Sequence, residues 1–182
     1  LDELLRGGTA LHVALDQTVS HVRAHYDTVY EALAATTHLE DAVITHTEID
    51  RRRSIRAYPP ATFSSAKLRE AVKVEAEAGA KPTLIVIEGI DLDETDRDEV
   101  QDLRALAQEL AAEVWLSVAS NDEHVGGVPT SLSNLEDDIS VILALEPGDE
   151  SVGLRALKDH DNPDLSDLHV ALDPKTLLLV RS

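Results

Sequence analysis

Apolar and polar positions along the chain follow two alternating periods. TALHVALD, residues 9–16, is a short apolar run that ends on an acid. TLIVIEGIDLDE, residues 83–94, repeats that plan: the apolar stretch runs into Glu88, then a glycine and a burst of carboxylates. VWLSVAS, residues 114–120, is a third such run. All three have the length and content of strands, the second of a buried one. Between them the period lengthens. From Thr18 to about Ala35, Val19, Val22, Tyr26, Val29 and Leu33 recur at spacings of three and four, which predicts an amphipathic helix. Residues 39–53 predict a second helix, closed by Arg51, Arg52 and Arg53 against the negative end of its dipole. IRAY, 55–58, predicts a short strand before the Pro59-Pro60 break. Ser64 or Ser65 caps a helix that runs to Gly79, and Thr95 with Asp98 three residues on opens another to about Ala112. LDELLR before Gly7-Gly8 reads as the last turns of a helix closed by glycine.

The texture changes after a loop containing Gly126-Gly127 and Pro129 and a short SLSNLEDD segment. ISVILALEP, SVGLRALKD, DLHVAL and TLLLV are short strand-like runs separated by turn signals such as PGDE and DPK. Strand and helix alternate over the first two thirds, so the expected fold is α/β: a three-layer sandwich with a mainly parallel sheet, which a C-terminal meander extends in antiparallel fashion. At 182 residues the chain is expected to form a single domain, residues 1–182.

Composition narrows the functions open to this fold. The formal net charge of -19 comes from 35 acids against 16 bases, so the long-range field repels nucleic acid and anionic membrane alike. Only five of the sixteen bases are Lys, and the acids are dispersed, which is the pattern of a surface adapted to high salt. There is no Cys, hence no disulfide, thiolate metal site or cysteine nucleophile. No apolar run approaches the ~18 residues of a membrane span, and a cytoplasmic protein is expected. There is also no Met, and Leu stands at position 1, so the sequence is expected to be a fragment or to lack residues.

A strand that ends on a charge raises a question. A buried carboxylate costs several kcal/mol unless it is paired, so Glu88 must either be used or be kept at a wet edge. In an open parallel sheet, ligands bind at the carboxyl ends of the strands. Three strands deliver polar groups there: Asp16-Gln17 after LHVAL, Glu88 after LIVI, and Ser117, Ser120 and Asn121 in and after VWLSV. A carboxylate at that rim can hold a hydrated cation.

These residues, in this order, resemble the RecA-like P-loop ATPases, most closely the KaiC-type branch. The resemblance implies that HVALDQ supplies a catalytic acid at Asp16 and that LIVIEG is the Walker B element, with Glu88 as its magnesium-associated acid. It further implies that LRALKDHD offers Lys158, with Arg155 earlier in the same run, as a basic residue reaching a neighbouring subunit's nucleotide. Ser120 and Asn121 could sense a phosphate or merely terminate a strand. Mg and ATP are the implied cofactors, and a ring or filament of like subunits the implied assembly. RecA-like sheets also insert a strand between the phosphate-loop strand and the far neighbour of the Walker B strand. Two features depart from the family. Walker B normally ends in Asp, and no GxxxxGK[ST] occurs in the 182 residues. In the family that loop precedes the helix whose tail LDELLRGG resembles, so it is expected just upstream of Leu1 unless it has been lost.

Other patterns carry weaker chemistry. His21 and His25 have a metal-binding spacing on one helix, with no third ligand identifiable. DLDETD lacks the glycine and terminal Glu of a calcium loop. RRRSIR could meet phosphate, nucleic acid or a partner's carboxylates, or close a helix, and no G-x-S-x-G elbow occurs. Against the ATPase stand a non-catalytic RecA-like assembly or signalling module and an unrelated α/β enzyme using the same strand ends.

Overall fold

The computed structural model describes residues 1–119, 127–162, 164–165 and 168–181. Two compact units make up the chain, Leu1–Ala119 and Ser120–Ser182. The first is built on four parallel strands, β1 (Ala10–Ala14), β2 (Arg53–Ala57), β3 (Leu84–Glu88) and β4 (Glu113–Ser117), in the order β2-β1-β3-β4. The helices are α1 (Asp2–Leu5), α2 (Val19–Thr37), α3 (Ala42–Arg52), α4 (Ser65–Glu77) and α5 (Arg97–Leu110).

Strand order and handedness decide which face each helix covers. The chain leaves β1 through α2 and α3 to reach β2 on one side. It then crosses back through α4 to β3 and onward through α5 to β4. Right-handed crossovers put those two pairs of helices on opposite faces. The side-chain contacts agree. His12 of β1 meets Tyr26 of α2 on one face, whereas Ser54 and Arg56 of β2 hydrogen-bond to Glu75 of α4 on the other. α5 packs on α4, where Glu99 and Asp102 accept from the Ser65 hydroxyl. The layers are therefore helix, sheet, helix, and β1, covered on both sides, is buried at all five positions.

Local chemistry explains most boundaries. Thr18 caps α2 by accepting from the His21 N–H at 3.2 Å, and Ser64 caps α4 through the Lys67 N–H at 3.3 Å. Three expectations are corrected. The buried stripe of α2 is Val22, Tyr26, Tyr30 and Ala34, at spacings of four, whereas Val19 in the first turn stays 43% exposed. Thr95 does not cap α5; Asp96 is its N-cap, and Asp98 and Glu99 complement the dipole from the first turn. Arg53 does not end α3 as a surface cation. It is the first residue of β2, with a side chain 3% exposed, held by Asp50 and lying 4.5 Å over the Tyr26 ring.

In the second unit, after the short helix α6 (Thr130–Ser133), β5 (Val141–Pro147), β6 (Val152–Asp159), β7 (Val170–Leu172) and β8 (Leu179–Arg181) form an antiparallel meander in chain order. The meander is as expected, but it is a separate sheet instead of an extension of the parallel one. The PGDE turn closes β5 onto β6 with the Gly148 N–H donating to the Ser151 carbonyl at 2.9 Å. Each strand finds its partner next to it in the chain, and among the described residues no ladder joins the two sheets.

The core of the first unit rests on residues such as Leu11, Leu68, Ile85 and Ile87, all essentially inaccessible to solvent. Ile87→Ala is expected to lower unfolding free energy by about 2–5 kcal/mol, because the truncated side chain leaves a cavity in a sheet covered on both faces. Denaturant melts followed by circular dichroism measure that loss.

Candidate functional site

The parallel register puts Ala14 of β1 opposite Glu88 of β3, and the Leu15 N–H donates to the Glu88 carbonyl at 2.9 Å. From here β1 leads to one face of the sheet and β3 to the other. The crevice between their carboxyl ends is thus the switch point of a doubly wound sheet, where such folds place ligands. Asp16 and Glu88 both stand at it. Gly89 lets Asp16 lie against the backbone just past Glu88: it has φ +81°, and a Cβ there would lie 2.6 Å from Asp16 Oδ1.

Glu88 has a partner that the sequence reading did not name. Side chains at His12, Val86 and Glu88 share the face under α2, since the register pairs His12 with Val86. His12 Nε2 lies 3.1 Å from Glu88 Oε2, and its Nδ1 lies 3.2 Å from the Tyr26 hydroxyl. One neutral tautomer satisfies both contacts, with Nε2–H donating to the carboxylate and Nδ1 accepting from the Tyr26 O–H. Burial pushes the His12 imidazole below its ordinary pKa, and this outweighs the opposite pull of the Glu88 hydrogen bond and charge. Burial likewise pushes the Tyr26 hydroxyl up, with the Arg53 charge acting against it. Both shifts favour the neutral forms of His12 and Tyr26.

An open pocket of about 210 Å³ reaches Glu88 on the face under α2, lined among others by His12, His25, Tyr26, Val86 and Ser117; Asp16 is not among its lining residues. The Glu88 side chain is 33% exposed, so one oxygen is tied to His12 while the carboxylate still faces water. Hard oxygen donors from Asp16 and Glu88 suit a hydrated magnesium ion better than a transition metal.

The remaining expected site residues divide differently. Lys158 belongs to the second unit, on β6, where its ammonium donates to the Glu136 carbonyl. Arg155 has its own partner, Glu146 Oε1, at 2.7 Å. Ser120 and Asn121 lie outside the described residues. His21 and His25 stack edge to face with centroids 4.4 Å apart, and among the described residues no third ligand joins them. His12 could have been found from the sequence by the argument applied to Glu88, since a titratable ring inside an apolar run also demands a partner.

The chain is of the doubly wound α/β class, with a second, antiparallel unit. Compared with known protein families and with curated proteins, its sequence matches none. No described helix is long and apolar enough to cross a membrane.

The relay has a sign in pH. His12 is held toward its neutral form in the folded chain, whereas in the unfolded chain it takes up a proton near its ordinary value of 6.5, so the stability it contributes is present above that pH and is lost as pH falls below it. His12→Gln keeps an N–H donor for Glu88 but cannot titrate. Thermal melts in an acidic series are expected to show the wild type losing Tm faster than the variant below about pH 6.5. Parallel curves would mean that His12 is not held neutral.

Proposed function

We propose that the chain is the body of a RecA-like, KaiC-type P-loop ATPase domain that hydrolyses ATP with magnesium. The observation that carries the reading is the convergence of Asp16 and Glu88, from separate parts of the chain, on one crevice at the carboxyl ends of adjacent strands. Magnesium bound there would neutralise phosphate charge. On this reading Glu88 holds the metal's water shell, with its carboxylate fixed in direction by His12. Asp16 orients the attacking water from across Gly89. Lys158 leaves the Glu136 carbonyl to reach the nucleotide of a neighbouring subunit in a ring or filament. The dispersed acids suit work at high salt.

The strand order supports the same reading. β4 pairs with β3 and, among the described residues, is an edge strand. A phosphate-loop strand docking on that edge would have β4 and β3 between it and β1, the insertion that the resemblance implies. Its helix, ending at α1, would cover the exposed face of β3 and β4. Trp115 lies on that face, 45% exposed, and is the only tryptophan of the sequence.

Two experiments follow. The gene product with the residues upstream of Leu1 is expected to turn over ATP, with Glu88→Gln lowering kcat by about a hundredfold or more while nucleotide binding persists. Unchanged turnover removes Glu88 from the mechanism. In the same protein, tryptophan emission is expected to be blue-shifted and less quenched by acrylamide than in the 182-residue chain. Identical spectra would leave the sheet face open and the docked helix without support.

A second reading has its own observation. Glu88 and Lys158 each already have an internal partner, His12 and the Glu136 carbonyl, so a non-catalytic RecA-like assembly or signalling module needs no ligand to satisfy them. Calorimetry separates the two, and no heat with millimolar ATP and magnesium favours the module.

A further inference from the structure

We propose that Asp27, His46 and Asp50 form a binding site for a divalent transition metal of the zinc type, which ties α2 to α3. His46 and Asp50 are four residues apart on α3 and so share one face of it, and Asp27 approaches them from α2. One ligand atom from each lies within 4.8 Å of the others. Small rotamer changes bring such a set to the ligand spacing of a zinc ion, with the remaining positions left to water. The imidazole favours zinc, cobalt or nickel over calcium and magnesium, which take oxygen.

The present contacts of these groups show what metal binding would displace. His46 Nε2 is 3.0 Å from Asp27 Oδ1, both side chains being about one-third exposed (34% and 38%). A partly exposed pair of this kind contributes little by itself. Asp50 Oδ2 receives Arg23 at 3.2 Å and Oδ1 receives the buried Arg53. Arg23, 59% exposed, can swing into water and free one oxygen, while Arg53 goes on orienting the carboxylate, as groups behind metal ligands do. His46 would give its lone pair at Nε2 to the ion and carry its proton on Nδ1. Its ring already packs on Tyr30, with centroids 4.9 Å apart, which limits its rotation. The overall charge of -19 raises the local concentration of any cation.

The test is a cobalt and zinc titration of the 182-residue chain in high potassium chloride and excess magnesium, which swamp diffuse binding to the acidic surface. One equivalent of cobalt is expected to bind with visible ligand-field absorption, and zinc to raise Tm. His46→Ala and the isosteric Asp27→Asn should each weaken binding at least tenfold and abolish the Tm shift. The double variant His21→Ala/His25→Ala should bind as the wild type does. Absence of saturable binding, survival of binding in His46→Ala and Asp27→Asn, or its loss in the His21/His25 pair overturns the site. Circular dichroism separates loss of ligands from loss of fold, and Asp27→Asn keeps the side-chain shape if His46→Ala does not fold.

Discussion

Glu88 satisfies the buried His12 from the rim of the sheet, and the pairing of β1 with β3 is organised around that contact. A buried imidazole needs a partner for each ring nitrogen, and a carboxylate one-third exposed at the rim supplies one while it still meets water. Placed on adjacent strands with the same facing, they share one hydrogen bond, and Tyr26 satisfies the second ring nitrogen. The arrangement works only in one register. Shifting β1 by one residue against β3 would turn His12 to the opposite face, beside Ile85 and Ile87 and away from Glu88 and Tyr26. The polar pair therefore acts on the pairing of β1 with β3 as a specificity element, while the apolar residues supply most of the burial energy.

That pairing also creates the crevice. Because the two strands send their next helices to opposite faces, no crossover covers the space above their carboxyl ends. Gly89 keeps the floor low enough for Asp16 to lie across it. Three independent requirements meet there: a strand that ends in a carboxylate, a glycine with positive φ directly after it, and an acid two residues past the end of the neighbouring strand. A merely structural strand end requires none of them.

The parallel strands and their helices were legible because their signals are local: apolar runs of five, stripes at helical period, and hydroxyl caps at Thr18 and Ser64. The rim acids were legible because topology fixes where strand ends go. What escaped reading depends on contacts distant in sequence. Tyr26, read only as one apolar position of α2, owes its role to a ring fourteen residues away. Arg53 followed two helical arginines, and nothing in RRRSIR distinguishes the one that turns inward; the Tyr26 ring and Asp50 decide it. The C-terminal strands were visible by pattern, but pattern does not say which edge a strand joins. Short turns favour pairing with the next strand in the chain, and here they win.

Arg53 connects the two polar clusters of the first unit. Its guanidinium stacks over Tyr26, the inner end of the relay to Glu88, and it also holds Asp50, which faces Asp27 and His46 between α2 and α3. With Nη1 buried and without a hydrogen-bond partner among the described residues, its position is set by these two contacts and by packing. Any change in the charge around Asp50 alters the field at Arg53, and with it the electrostatic balance at Tyr26 and His12, on both of which Arg53 acts. Contiguity of this kind is not yet coupling, which requires two states that both clusters bias. It does fix the sign. Neutralising Asp50 would leave the Arg53 charge uncompensated beside the ring, favouring the deprotonated Tyr26 and the neutral His12, the form in which His12 already holds Glu88.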